Sequence, residues 1–271
     1  MKMDPIQETM EATAWRVENG AGTLRRDCLA IEAPLQIELN GKAFSVTMRT
    51  PGHDDWLVRG LLLSDGIVRP DGSVETIELL EVEGVDTARV QVPDIYLCER
   101  VMKNQALITH ASCGYCGKKS FEGFPILLTP PREPLPWTFF GQLEEKLRQA
   151  QDTFRASGGA HAAAAFAREG HCLCLFEDVG RHNAVDKVIG YLLFHDRIAD
   201  AAVLQVSGRV SFEIVNKACR AGIPYLSAIS APSSLAVEAA KGSGLTLVAF
   251  NRQHRFTIYS HPENIAFSKE E

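Results

Sequence analysis

Ala202-Val-Leu-Gln-Val206, followed by Ser207-Gly208-Arg209 and a helical pattern over residues 211–221, decides the fold of this chain. A short apolar run that closes on a glycine-bearing turn reads as a buried strand, and the apolar spacing beyond it is that of a helix. The unit then repeats, with a strand over residues 224–228, a helix over 233–241 and a strand over 245–250. Just upstream, residues 162–167 and 172–176 read as a strand pair turned at Glu169-Gly170, and residues 183–194 as a helix. Strands alternating with helices need crossover connections, so the expected fold is a largely parallel sheet covered on both faces.

The pattern changes toward the N-terminus. Phe140, Leu143, Leu147, Ala150 and Phe154 recur at three- and four-residue spacing and predict one amphipathic helix ending at Ser157-Gly158-Gly159. Before it, Thr129-Pro-Pro-Arg-Glu-Pro-Leu-Pro136 holds four prolines in eight residues, which makes it the best linker candidate. The first hundred or so residues read mainly as strands. Leu35-Gln-Ile-Glu-Leu39 alternates, Asn40-Gly41 supplies a tight turn, and Phe44-Ser-Val-Thr-Met48 returns. Residues 74–83 and 88–92 look like a second hairpin around Gly84, and residues 54–63 like a short helix between the two. The expectation is therefore α/β (α+β overall), with a β-rich N-terminal domain over residues 1–130 and an α/β domain over residues 137–271.

Composition narrows the function. The 271 residues are 45% hydrophobic and 23% charged, which is globular, and the net charge of −6 argues against nucleic-acid or anionic-membrane partners. The N-terminal residues lack the apolar core of a secretory signal, and no apolar run would span a bilayer. Seven cysteines, at 28, 98, 113, 116, 172, 174 and 219, do not form a secreted disulfide framework, so a cytoplasmic setting is expected.

Two of those cysteines stand apart, in Cys113-Gly-Tyr-Cys116-Gly117 followed by Lys118 and Lys119. Neighbouring cations favour the thiolate, which is the form that attacks sulfur and binds metal. Three chemistries fit the pair: half of a zinc site, a redox dithiol, or a sulfur carrier holding a persulfide. Zinc needs two more ligands, and the only other close pair, Cys172-x-Cys174, lies in an expected strand, where both side chains would share one face. A thioredoxin-like dithiol follows a strand and opens a helix, whereas this motif sits in a loop. A carrier needs a mobile, accessible thiolate, which Gly114, Gly117 and the lysines suit. The bland alternative is two idle cysteines on a surface loop. For the other five cysteines core packing is the expected role.

Further polar motifs follow. Gly158-Gly-Ala-His161 resembles the zinc-binding stretch of cytidine deaminases, but Ala163 replaces the required glutamate and no Cys-x-x-Cys lies downstream. Deaminase chemistry is not expected, and His161 is read equally as a strand-mouth histidine or a ligand contact. In Glu177-Asp-Val-Gly180-Arg181-His182-Asn-Ala-Val-Asp186-Lys187, a helix starting near Arg181 puts His182 and Asp186 on one face and Asn183 and Lys187 on another. Such a start is either a solvated face or a ligand site, because open α/β sheets bind ligands at strand-to-helix turns. Ser207-Gly208-Arg209 and Ser230-Ala-Pro-Ser233 repeat the arrangement. Helix N-termini favour phosphates, and three in succession suggest a pocket for a phosphorylated or nucleotide-bearing ligand.

Together Cys113-Gly-Tyr-Cys-Gly117, Gly159-Ala-His161, the 177–187 stretch, Ser207-Gly-Arg209 and Phe250-Asn251-Arg252-Gln253-His254-Arg255 resemble the FdhD family of formate dehydrogenase accessory sulfurtransferases. The resemblance runs in order over about residues 25–265. It implies a homodimeric sulfur carrier whose C-terminal domain has a cytidine-deaminase-like, three-layer fold. The carrier would take sulfane sulfur from a cysteine desulfurase as a persulfide. It would pass that sulfur to the bis(molybdopterin guanine dinucleotide) molybdenum cofactor of formate dehydrogenase, with no permanently bound metal of its own. Carried over to this sequence, Cys113 would hold the persulfide and Cys116 assist. Residues 250–255 would contact the cofactor, and the basic Arg252 and Arg255 suit its phosphates. The strand-to-helix turns, with Gly180, Arg181, His182, Ser207, Gly208 and Arg209, complete the expected pocket. The rival reading is a chaperone for the same cofactor, in which the cysteines only order a loop or clip zinc.

Overall fold

The computed structural model describes residues 7–69, 72–99, 109–110, 126–131 and 133–267. Cys113, Cys116, Lys118 and Lys119 therefore lie outside the described residues.

The chain opens with a ribbon that sequence reasoning did not foresee. β1 (Thr9–Glu18) and β2 (Ala21–Ala30) pair antiparallel around Asn19-Gly20, both at positive φ, and Trp15, Val17 and Leu24 stand exposed on it. The expected hairpins follow. β3 (Ala33–Leu39) and β4 (Lys42–Arg49) turn at Asn40-Gly41, with φ of 48° and 74°, the backbone that Asn-Gly adopts readily. After α1 (Asp54–Ser64) come β5 (Thr76–Val82) and β6 (Val85–Gln91), and then the short β7 (Thr109–His110). These make a five-stranded sheet in the order β5-β6-β3-β4-β7. Leu35, Ile37 and Leu39 alternate onto its inner face and pack with Leu57, Val58 and Leu62 of α1.

The second half begins with β8 (Leu135–Pro136), α2 (Trp137–Gly141), α3 (Leu143–Gln149) and α4 (Asp152–Ser157). It continues through β9 (His161–Ala167), β10 (Cys172–Asp178), α5 (Arg181–Phe194), β11 (Ala201–Val206), α6 (Phe212–Arg220) and β12 (Tyr225–Ala228). α7 (Ser234–Ser243), β13 (Thr246–Arg252), β14 (Arg255–Ile258) and β15 (Ile265–Ala266) complete it. The main sheet has six strands in the order β10-β9-β11-β12-β13-β14. β9 alternates cleanly: Ala163 and Ala165 pack under α5, α6 and α7, while Ala162, Ala164 and Phe166 face α2 and α3. The result is three layers, as expected.

Three expectations need correction. The sheet is mixed rather than largely parallel: β11, β12 and β13 run parallel, whereas β10, β9 and β14 join antiparallel. The single helix foreseen from Phe140 to its end at Ser157-Gly158-Gly159 is broken into α2, α3 and α4, the last set off because the Glu177 carboxylate accepts the N–H groups of Thr153 (2.7 Å) and Phe154 (2.9 Å) and so caps a fresh start there. Phe154 is consequently exposed, while Phe140, Leu143 and Leu147 are buried. The proline-rich stretch is no free linker, since Leu135 is buried and β8 pairs with β15.

The two sheets meet along α1 and α5. A Cβ on Gly60 would come 1.9 Å from the Asp186 carbonyl oxygen, and one on Gly190 would come 1.8 Å from that of Trp56. Only glycine at both positions lets these helices touch backbone to backbone. Beside the contact, Lys217 Nζ donates to both Asp186 oxygens (2.8 and 2.9 Å), to Asp65 (2.9 Å) and to Ser64 (2.7 Å). Burying charge is costly unless it is paired and hydrogen-bonded, and here it is both.

Candidate functional site at the strand ends

Because β9 and β10 are antiparallel neighbours and β9 runs against β11, three chain segments reach the same edge of the main sheet. They are the start of β9 at His161, the end of β10 at Asp178 and the end of β11 at Val206. Ser207 extends the β9–β11 ladder by one step: its N–H donates to the Ala162 carbonyl and its Oγ accepts the Ala162 N–H, both at 2.9 Å. Gly208 then sits between the side chains of His161 and Arg181. A Cβ there would lie 3.3 Å from His161 Nδ1 and 3.5 Å from Arg181 Cβ and Cδ.

The electrostatics of this corner are positive. Burial, and after it the charges of Arg181 and Arg209, hold the His161 imidazole below its ordinary 6.5, so it is neutral at pH 7. Arg209 is exposed, and the Nε of Arg181 is buried with no hydrogen-bond partner among the described residues. His182, next in sequence, turns inward. It is 4% exposed, 3.4 Å from Ser211 Oγ, and pushed down to about 3 by burial, with Lys217 and Arg181 adding to the shift. It supports the helix start from beneath instead of facing the edge.

The remainder of the polar helix start belongs to the seam between the sheets. Asp178 is fully buried and accepts from Lys187 Nζ (2.8 Å), Gly180 N–H (2.8 Å), Asn183 Nδ2 (3.0 Å) and Thr50 N–H (3.2 Å). Asn183 also donates to the Met48 carbonyl at 2.7 Å. Neither a solvated face nor a ligand set describes Asn183, Asp186 and Lys187: they dock the N-terminal sheet. Gly180 keeps its expected place at the turn, where a Cβ would come 2.8 Å from Asn183 Nδ2.

Farther along the same edge lies the C-terminal stretch, two strands from β11, or about 10 Å at the usual strand spacing. Phe250, at φ 52°, is partly exposed and donates its N–H to the Ser230 carbonyl (3.2 Å). Asn251 is buried: its Nδ2 donates to the Phe140 carbonyl (2.8 Å) and to Ser227 Oγ (3.0 Å). Arg252, Gln253, His254 and Arg255 are all exposed on the β13–β14 turn, whose two central residues have φ of 53° and 58°. Glu144 accepts the Gln253 N–H at 2.7 Å, and Gln253 and His254 line a groove of about 810 Å³ with Gly141, Gln142, Glu144, Glu145, Lys146 and Arg148. The edge thus gathers Arg181, Gly208 and Arg209 at one station and Arg252 to Arg255 at another.

Of the other cysteines, Cys174 and Cys219 are buried, with their thiols pushed up to about 12 and about 11 by burial, and are inert. Cys28 and Cys98 are half-buried. Cys172 is exposed, against expectation, because the register shifts between it and Cys174 and separates two side chains expected to share a face.

Fold and edge define a three-layer α/β protein with arginines gathered at its strand ends. The chain belongs to the FdhD/NarQ family, whose model matches residues 30–266. It is 42% identical over 270 residues to the sulfur carrier protein FdhD of Streptomyces coelicolor, covering 93% of each chain. It is 44% identical over 255 residues to the protein of that name from Mycobacterium tuberculosis, covering 89% of this chain and 92% of the other. With that of Sulfolobus acidocaldarius the figures are 38% over 251 residues, 92% and 96%. A crystal structure of a protein assigned as a formate dehydrogenase accessory protein, from Desulfotalea psychrophila, shares the fold. Its TM-score is 0.75 at 24% identity, covering 96% of this chain and 100% of that one.

Proposed function

We propose that this protein carries sulfur from a cysteine desulfurase to the bis(molybdopterin guanine dinucleotide) molybdenum cofactor of formate dehydrogenase, with Cys113 as the carrier. In this reading residues 1–130 bring the sulfur, residues 137–271 hold the acceptor, and the protein works in the cytoplasm as a homodimer. Among the described residues no helix is long and apolar enough to cross a membrane.

One observation carries the reading beyond family membership. β7 pairs parallel with β4, Thr109 beside Ser45 and His110 beside Val46, so the chain leaves β7 in the direction in which β4 runs. β4 ends at Arg49, and the next residue, Thr50, bonds to Asp178 beside the Gly180-Arg181 turn. Val46 and Thr50 are four residue steps apart, about 13 Å of strand, and the three steps from His110 to Cys113 can span at most about 10 Å. The launching strand of the cysteine motif is therefore aimed at the edge where the acceptor is proposed to sit.

The chemistry is exchange at sulfur. The Cys113 thiolate attacks the terminal sulfur of the donor persulfide, a new S–S bond forms, and the donor cysteine leaves as thiolate. In the second step the Cys116 thiolate attacks the inner sulfur of the Cys113 persulfide. The Cys113–Cys116 disulfide forms and the terminal sulfur leaves as sulfide, so the dithiol supplies the two electrons. The acceptor, when bound, supplies the metal that takes this sulfide. The residues that suit it are the orphaned Arg181 Nε with Gly180, Ser207, Gly208 and Arg209, and the exposed Arg252 and Arg255 with Phe250, Asn251, Gln253 and His254 around them. Guanidinium groups match phosphate geometry, and Gly208 leaves room between His161 and Arg181. His182 backs the turn from inside.

Incubation with a cysteine desulfurase and cysteine, followed by intact-mass measurement, tests the first step. Wild type should gain one sulfur atom that a thiol reductant removes, and Cys116→Ala should load but fail to release it. An adduct that persists in Cys113→Ala, or none in wild type, overturns the carrier assignment. Stoichiometric zinc lost on mutating either cysteine would favour the chaperone instead.

A further inference from the structure

We propose that Thr50 is a positioning residue for the turn that carries Arg181, so that the N-terminal sheet completes the ligand-facing edge of the C-terminal one. The inference rests on the sulfur-carrier reading only in taking that edge as the acceptor's place.

Thr50 is fully buried and gives three polar atoms to the segment around that turn. Its Oγ1 accepts the Val179 N–H at 3.0 Å, its N–H donates to Asp178 Oδ2 at 3.2 Å, and its carbonyl accepts from Lys187 Nζ at 3.0 Å. Val179 and Gly180 come just after the last residue of β10, where the ladder no longer serves their N–H groups. Both are satisfied by side chains instead, Val179 by Thr50 and Gly180 by Asp178 Oδ1 at 2.8 Å. Buried backbone donors are rarely left unpaired, so these two bonds decide the conformation of the turn.

Arg181 follows directly. It is the first residue of α5, packed beside Gly208, with its Nε lacking a partner among the described residues. No hydrogen bond among the described residues holds that nitrogen, so its placement depends on packing beside Gly208 and on the backbone that Thr50 and Asp178 hold. A small shift of the turn swings a long side chain through a larger arc. The same strand that delivers Thr50 pairs with β7 at Ser45 and Val46. One strand, β4, thus touches both the launching point of the cysteine segment and the turn of the acceptor side.

Thr50→Val tests this selectively. It keeps the volume and both backbone contacts and removes only the hydroxyl acceptor, whereas Thr50→Ser keeps the hydroxyl. Two readouts apply: amide hydrogen exchange at Val179 and Gly180, and affinity for GDP as the guanine-nucleotide probe. Thr50→Val should speed exchange at both amides and weaken GDP binding by roughly tenfold, the scale of one buried N–H left unpaired. Thr50→Ser should restore both to about the wild-type level. Unchanged exchange and affinity in Thr50→Val would overturn the proposal, and so would a Thr50→Ser variant as impaired as Thr50→Val. Failure of the wild type to bind GDP would count against the acceptor reading alone, and the exchange at Val179 and Gly180 would still decide the role of Thr50.

Discussion

The start of α5 and the turn between β13 and β14 both crowd charged and amide side chains at one edge of the same sheet, yet they do opposite things. At the first, His182, Asn183, Asp186 and Lys187 are buried, and the last three bond to Ser64, Lys217, Asp178 or the backbone of Met48 and Thr50. At the second, Arg252, Gln253, His254 and Arg255 are exposed; beyond the β13–β14 ladder, their bonds among the described residues are a Gln253 N–H to Glu144 and a 3.4 Å contact between Arg255 and Gln253. Polar groups that dock two sheets specify a unique arrangement because leaving any of them unpaired is costly. Polar groups at a strained, exposed turn stay available for a ligand. Between these extremes Gly180 and Arg181 are half-buried, and the Arg181 Nε has no hydrogen-bond partner among the described residues.

That contrast can be broken most forcefully at the seam. Gly190→Ala should cost more than about 4 kcal/mol, the range of exceptional single substitutions, because its Cβ would meet the Trp56 carbonyl at 1.8 Å. Thermal unfolding checks this, and a stable Gly190→Ala protein would mean that α1 and α5 do not touch as described.

A gentler probe is acid. His182 titrates at about 3 when folded and near 6.5 when unfolded. Below pH 6.5 the unfolded chain binds a proton that the native state refuses, so stability falls as pH drops from about 6.5 toward 3. By pH 5 the loss attributable to His182 is about 2 kcal/mol. Denaturant titrations of His182→Gln should show a flatter decline between pH 6.5 and 5, and an identical slope would place His182 nearer to solvent. The smallest effect on stability belongs to the turn. Arg252→Ala/Arg255→Ala should unfold within about 0.5 kcal/mol of wild type, as exposed substitutions do.

Much of this was legible from periodicity. The strand–helix order after residue 160, the Asn40-Gly41 hairpin and α1 follow from apolar spacing and turn chemistry. Strand direction was not legible: β10 and β11 run parallel and are joined through α5 as a crossover, but β9 lies between them and runs against both, and nothing in the apolar spacing marks that insertion. β14 was hidden because Arg255-Phe-Thr-Ile258 is short and its neighbours were read as a ligand stretch. The β1–β2 ribbon went unseen because its apolar residues are scattered among charges and none is buried. At the site, Gly208 and Arg181 could be picked from the strand-to-helix turns. The buried fate of Asn183, Asp186 and Lys187 could not, since their partners Met48, Thr50 and Ser64 lie in a distant part of the sequence. Glu177, Asp178 and Thr50 were missed as working residues for the same reason.

The central claim is that sulfur on Cys113 passes to an acceptor held by the exposed arginines. It is tested most directly by following isotopically labelled sulfur from the loaded carrier into the molybdenum cofactor of formate dehydrogenase. Label should arrive from wild type. Arg252→Ala/Arg255→Ala should load as well as wild type but deliver at least several-fold less, and Cys113→Ala should deliver none. Equal delivery from Cys113→Ala, or from the arginine variant, would contradict the account.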